Sequence, residues 1–260
     1  MTTTLQPRGY VLYEGPSQFD GSSIVVILGR PGTNAKTGSM WQTWILNASM
    51  KPSEAAALGL DASVCGDCPL RPFAVREAKA RGEKRVPCYV VLVQAPRAIF
   101  DGYQRGIYPR ITPEQARKLL AERIVPRKRG RARHRHAPYG IRQSVRLGSY
   151  GDPAAVPFEI WERLGVGTGE FSPPGYTHGW LREGFDVRQL DYLMASIDPI
   201  SADQAEALPE NARTYRVIRS GDTLATNEIE CPSKRGVQCA DCLLCAGSSK
   251  RAKNIAILAH

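Results

Sequence analysis

Near its C-terminal end the sequence places four cysteines within fifteen residues, in CPSKRGVQCADCLLC, where Cys231, Cys239, Cys242 and Cys245 follow the spacing Cys-x7-Cys-x2-Cys-x2-Cys. Thiolates are soft ligands that favour zinc, copper and iron-sulfur centres. Zinc takes paired cysteines from two separate knuckles, whereas three cysteines at successive x2 spacing with a remote Cys-Pro match the ligation of a four-iron four-sulfur cluster. The spacing therefore points to an iron-sulfur cluster, with a four-cysteine zinc site as the alternative and unligated thiols as the bland reading. Either metal would clasp the last strand of the chain to the one before it.

A second set is incomplete. Cys65 and Cys68 form a Cys-x2-Cys pair in VCGDCPLRP, and Cys88 in RVPCYV adds a third thiol. Three thiolates leave one position to fill. A histidine would complete a zinc site, and an open iron would accept a small molecule. The four histidines are His134, His136, His178 and His260. The first two stand in a basic run that reads as solvated, while His178 and His260 end strand-like segments.

Polar residues at the C-terminal ends of strands face the active site in (β/α) barrels. Here Asp152 follows VRLGSYG, His178 closes GYTH and Ser196 closes YLMAS, which makes Asp152, His178 and Ser196 the candidate catalytic residues. Asp152 and Asp198 each precede a proline and serve equally well as turn or N-cap residues. In NAKTG, Lys36 and Thr37 are candidate contacts for an anionic cofactor, although the segment lacks the full phosphate-binding loop pattern and also fits an ordinary turn.

The net charge is +10, which invites polyanions. It is concentrated in PRKRGRARHRH, where Arg127, Lys128, Arg129, Arg131, Arg133 and Arg135 supply six charges, and removing them leaves +4. This run is a candidate DNA- or RNA-binding segment acting through phosphates, with a solvated loop as the alternative. No run of about 18 apolar residues suggests a membrane span and the N-terminus lacks a signal-peptide pattern, so a soluble, cytoplasmic protein is expected. That placement makes clustered thiols metal-binding or redox-active in preference to disulfide-bonded.

The elements that must position these side chains read as α/β. Residues 10–13 and 24–28 predict an opening β-hairpin, a strand follows NAKTGSM, and a short helix spans Pro52 to Leu58, with Ser53 as its cap. RVPCYVVLVQ (85–94) predicts a buried strand, followed by a helix in PRAIFDGYQRG and another from Pro113 to Arg123. From Gln143 onward strands alternate with helices: QSVRLG, AAVPFEIWERLG, GYTHGW, FDVRQL, YLMASI, SADQAEAL, RTYRVIRS and NIAILAH. This pattern predicts one α/β domain over residues 1–260 with a mainly parallel sheet, a full or partial (β/α) barrel, and an exposed basic segment at 124–138.

The order of motifs, NAKTG, CGDCP with CYV, GSYGDP, GYTHGW, MASID, CP with CADCLLC and the terminal IAILAH, resembles an uncharacterised phage and prophage family. It is the type named after gene product eighty-eight of mycobacteriophages, and the resemblance spans Asn34 to His260. It implies a phage origin, a host-cell cytoplasm and cysteine-bound metal. The pattern is also similar to radical S-adenosylmethionine enzymes, which implies a cluster on three cysteines with one open iron. Those enzymes carry Cys-x3-Cys-x2-Cys in one loop, whereas Cys65, Cys68 and Cys88 are spread over 24 positions. The functional expectation is an iron-sulfur or zinc protein that uses the three-cysteine site as an enzyme, with a metal-stabilised nucleic-acid-binding protein or a structural protein as alternatives.

Overall fold

The computed structural model describes residues 6–121, 144–170, 173–197, 206–247 and 253–259. Two apolar runs open the chain as an antiparallel pair, β1 (Gly9–Pro16) and β2 (Ser23–Gly29), with a bulge between Val11 and Tyr13. β2 is SIVVILG, β-branched or aliphatic at nearly every position, and is buried on both faces from Ile24 to Gly29. Such a sequence suits a central strand. β3 (Trp41–Asn47) flanks it antiparallel, and β4 (Val145–Tyr150) lies parallel to β3.

Between β3 and β4 the chain forms α1 (Pro52–Leu58), α2 (Ala62–Cys65), α3 (Pro72–Ala80), α4 (Ala95–Gln104) and α5 (Pro113–Ala121). α6 (Phe158–Leu164) follows β4 after a 3-10 turn at Pro153–Ala155. Phe100, Ala116, Leu120, Ile160, Trp161 and Leu164 from α4, α5 and α6 bury against Ile24, Ile27, Trp41 and Val145 of the sheet. Each fully buried large aliphatic side chain in such a core contributes about 1.5–3 kcal/mol.

The remaining strands form a parallel sheet of five in the order β5-β6-β7-β9-β8: β5 (Tyr176–Thr177), β6 (Met194–Ser196), β7 (Thr214–Ile218), β8 (Glu228–Glu230) and β9 (Asn254–Leu258). The two sheets abut where the Leu147 N–H of β4 donates to the Pro174 carbonyl at 3.0 Å, just before β5. The α/β class, the parallel sheet and the N-terminal hairpin follow the sequence expectation. No closed barrel forms among the described residues, since β1 and β8 are the outer strands and do not pair.

Several local expectations change. Residues 85–94 form no strand: the Cys88 N–H donates to Leu70 O, Gln94 N–H turns back to Val91 O, and Val91 and Val93 are 50% and 61% exposed. Pro87 has no N–H to offer a ladder, and half-buried Val90 and Leu92 pack against the core from outside the sheet. Lys51, not Ser53, stands at the α1 cap, with no side-chain capping bond and Pro52 in the first turn. FDVRQL is a 3-10 turn, Val187–Asp191, and the strand in GYTHGW is two residues long. β8, whose EIE carries one apolar residue, was not foreseen. The basic segment 124–138, His134, His136, Asp198, His260 and most of SADQAEAL lie outside the described residues. Among the described residues no helix is long and apolar enough to cross a membrane.

Candidate metal centre

GSYGDP makes the turn on which the cavity site is built. Gly151 has φ 79, and a Cβ there would lie 2.7 Å from the carbonyl oxygen of Ile45 in the neighbouring strand. Only glycine fits that close approach in the left-handed region. The chain can then swing Asp152 inward from the end of β4. Its carboxylate accepts from the N–H groups of Ala154 (2.9 Å), His178 (2.6 Å) and Gly179 (3.2 Å), while its own N–H donates to Val64 O at 2.6 Å. Asp152 therefore caps the following turn and ties α2, which ends at Cys65, to the end of β5, where His178 stands. Burial pushes its carboxyl up, against the pull of the Thr177 hydroxyl and the three N–H donors.

Cys65, Cys68, Cys88, Tyr150, Asp152 and His178 line a cavity of about 80 Å³ at the C-terminal ends of β4 and β5. Stacked Tyr176 and Tyr215, with ring centroids 4.1 Å apart, and Val217 form another wall. Cys68 Sγ stands 3.8 Å from His178 Nε2. Burial lowers the His178 imidazole to about 4, so the ring is neutral near pH 7 and keeps a lone pair. Between Cys65 and Cys68, Asp67 pairs with Arg182, whose guanidinium also donates to Phe19 O at 2.9 Å. The cysteine knuckle and the His178 turn are thus joined at three points.

Burial is the largest influence on the cavity thiols and raises Cys65, Cys68 and Cys88. Backbone N–H groups pull the other way, those of Leu70 and Arg71 at Cys68 and that of Val90 at Cys88. Such donors favour the thiolate, the form that ligates a metal.

The C-terminal set is assembled differently. α7 (Cys239–Cys242) docks on the NAKTG loop, where the Cys239 and Ala240 N–H groups donate to the carbonyls of Lys36 (2.8 Å) and Thr37 (3.2 Å). Asn34 shapes that loop by accepting from the N–H groups of Lys36 and Thr37, both at 2.9 Å. Gly38, with φ 65, leaves space that Gln238 fills. The Cys231 N–H donates to Ala256 O of β9, and Cys245 O accepts from Gly175 just before β5. The thiols lie within one another's electrostatic reach: Cys231, Cys239 and Cys242 all act on Cys245, which burial pushes up to about 12 and Arg146 pulls back.

Arg146 was not among the residues singled out from the sequence, although a charge inside the apolar strand QSVRLG was a signal. It is 7% exposed. Its guanidinium donates to the hydroxyls of Tyr89 (3.0 Å) and Tyr176 (3.1 Å), which also contact each other. The titratable groups that act on it are Tyr89, Tyr176, Cys239 and Tyr215, phenols and a thiol with no carboxylate among them. Lys36 lies 5.0 Å over the Tyr89 ring, and Thr37 is buried with its hydroxyl accepting from Gln42. The NAKTG loop thus holds the cysteine helix and places one cation beside Tyr89.

Ser196 ends β6 but does not line the cavity. It is 1% exposed, its carbonyl accepts from the Trp180 indole at 2.8 Å, and its hydroxyl has no partner among the described residues. A larger hollow of about 400 Å³ near Phe19 and α6 contains no cysteine or histidine, and its charges include Arg188 paired with Glu162 and Asp186. All seven cysteines are free of disulfides and half-buried. Among the described residues, no three or more His, Cys, Asp and Glu side chains are yet gathered into a set that could hold a metal ion. Comparison with family models, curated proteins and solved structures finds no match.

Proposed function

We propose that the chain is a phage-type metal-thiolate protein of the host cytoplasm. In this reading Cys231, Cys239, Cys242 and Cys245 hold an iron-sulfur cluster of the four-iron four-sulfur type, with zinc as the alternative, and the cavity at the strand ends receives a small molecule. The supporting observation is Arg146. A buried guanidinium is costly unless its charge is compensated, and the groups around this one are tyrosines and thiols. Four thiolates on a divalent ion, or on an iron-sulfur cluster, carry net negative charge, and that charge beside Arg146 supplies the missing partner. The donor set fits in chemistry; among the described residues the thiols are not gathered into a metal-holding set, so binding would draw them together and release their protons.

An enzymatic role is supported by where the cavity lies. β3-β4 in one sheet and β5-β6-β7 in the other each run parallel in chain order, which suits a partial barrel better than a doubly wound sheet, whose order reverses at a switch point. The C-terminal ends of barrel strands carry the chemistry. A second reading, contact with DNA or RNA phosphates through Arg127 to Arg135, is favoured by six positive charges within eleven residues.

Anaerobic purification of the full chain, followed by iron, acid-labile sulfide and zinc analysis, tests the metal reading. The expected result is a brown protein with about four iron and four sulfide per chain, both lost in Cys245→Ser. Zinc without iron, lost in Cys245→Ser, would move the C-terminal site to its alternative, and a folded protein free of both metals would sink the proposal.

A further inference from the structure

We infer that Cys65, Cys68, Cys88 and His178 form a second, independent centre for a single divalent ion of the zinc type, closed by three thiolates and one imidazole. This deepens the metal-thiolate reading above and rests on it for the chemistry of the thiols.

The separation of Cys68 Sγ and His178 Nε2, a hydrogen-bond contact as it stands, matches two ligands on one ion better than two on a cluster. Ligands at Zn–S of about 2.3 Å and Zn–N of about 2.0–2.1 Å, at a tetrahedral angle, stand roughly 3.6 Å apart. The observed 3.8 Å is within a few tenths of that. Ligands on different irons of a cluster are held further apart, because an Fe–S–Fe bridge lies between them. The two residues are 110 positions apart in sequence, so local chain geometry does not impose the contact.

Among the described residues the four side chains are not gathered into a metal-holding set, but their surroundings already orient them. Leu70, Arg71 and Val90 aim backbone N–H groups at Cys68 and Cys88. Metal ligands are commonly oriented by outer partners of this kind. Asp152 fixes the backbone of His178 with a 2.6 Å bond, and the Cys88 N–H is tied to Leu70 O at 2.7 Å. Cys65 and Cys88 already line the same cavity as the Cys68–His178 pair. When the ion enters they close around it, and the thiol protons pass to solvent.

This assignment gives the 85–94 segment its anchor. It enters no sheet, yet Tyr89 and Val90 form part of the cavity wall, so an ion held by Cys88 would set the shape of the cavity. With His178 in the fourth position, no ligand site remains for S-adenosylmethionine at this centre.

Cobalt(II) titration of the full chain, read by its tetrahedral ligand-field and thiolate charge-transfer bands, tests the inference. In a Cys245→Ser background one cobalt per chain should bind with a three-thiolate spectrum. His178→Ala in that background should weaken binding by more than about tenfold, while His178→Cys should keep the ion and shift the spectrum to that of four thiolates. Unchanged affinity in His178→Ala, an unchanged spectrum in His178→Cys, or no cobalt site in Cys245→Ser would overturn it. Should Cys245→Ser fail to fold, zinc content of the otherwise native chain decides: it should be replaceable by thiolate in His178→Cys and depleted in His178→Ala, and equal zinc in both would overturn the assignment. Absence of iron and sulfide from the wild-type chain would sink the iron-sulfur reading alone and leave the cobalt result standing.

Discussion

The two cysteine sets use the same side chain but are assembled differently around the parallel strands. The C-terminal set comes from fifteen consecutive residues: Cys231 follows the end of β8, while the stretch around Cys245 runs beneath strand starts, where Cys245 O accepts from Gly175 before β5, Gly247 N–H donates to Tyr192 O before β6, and Ala246 O accepts from Arg213 before β7. The cavity set is drawn from segments as distant as Cys65 and His178 and sits where β4 and β5 end. In barrels, the side at the strand starts serves stability and the side at the strand ends serves chemistry. Local spacing thus marks the clasp, and long-range convergence marks the centre that shapes the cavity.

Breaking the cavity side should have the largest effect. Asp152→Ala leaves the N–H groups of Ala154 and His178 without their buried acceptor, while Gly179 keeps the Thr177 hydroxyl. The change should cost about 3–5 kcal/mol in denaturant unfolding. Metal bound by the cavity thiols should be lost, while iron bound by the C-terminal set persists in whatever chain remains folded. Equal loss at both sites would show that the two regions are not separable.

Arg146→Met should act on the other side, and its sign should depend on metal. In the stripped chain it removes a buried charge that lacks a carboxylate, and should stabilise by about 1–3 kcal/mol. In the loaded chain it removes the proposed counter-charge, and should destabilise by a similar amount. Unfolding of both forms by denaturant checks this, and the same sign in both would remove Arg146 from the metal's account. Gly38→Ala should be the mildest: a side chain at φ 65, 2.6 Å from the Gln238 carboxamide oxygen, should cost about 1–2 kcal/mol and loosen the C-terminal set without touching cobalt binding at the cavity.

Much of the frame was legible in the sequence because burial alone determines it. The runs YVLY, IVVIL and NIAIL read as strands and fold as strands, and the helices at Pro52 and Pro113 start where proline suits a first turn. The run VVLV was misleading because apolar composition does not say whether the backbone has a ladder to join, and here Pro87 and the bond from Cys88 to Leu70 lead it elsewhere. Cys65, Cys68, Cys88, Asp152 and His178 were each visible as chemistry-bearing residues, and the structure brings them together. Their roles were not legible. That Asp152 spends its carboxylate on backbone donors, that Ser196 turns away from the cavity, and that Arg146 lies under the cysteines are facts of packing between distant segments.

Native mass spectrometry of the full chain, purified without oxygen, tests the proposed pair of centres most directly, because it counts both on one molecule. The account predicts a mass above the apo chain by one four-iron four-sulfur cluster and one zinc, with Cys245→Ser losing only the former and His178→Ala only the latter. A folded chain at its apo mass, or one in which both variants lose the same increment, would contradict it.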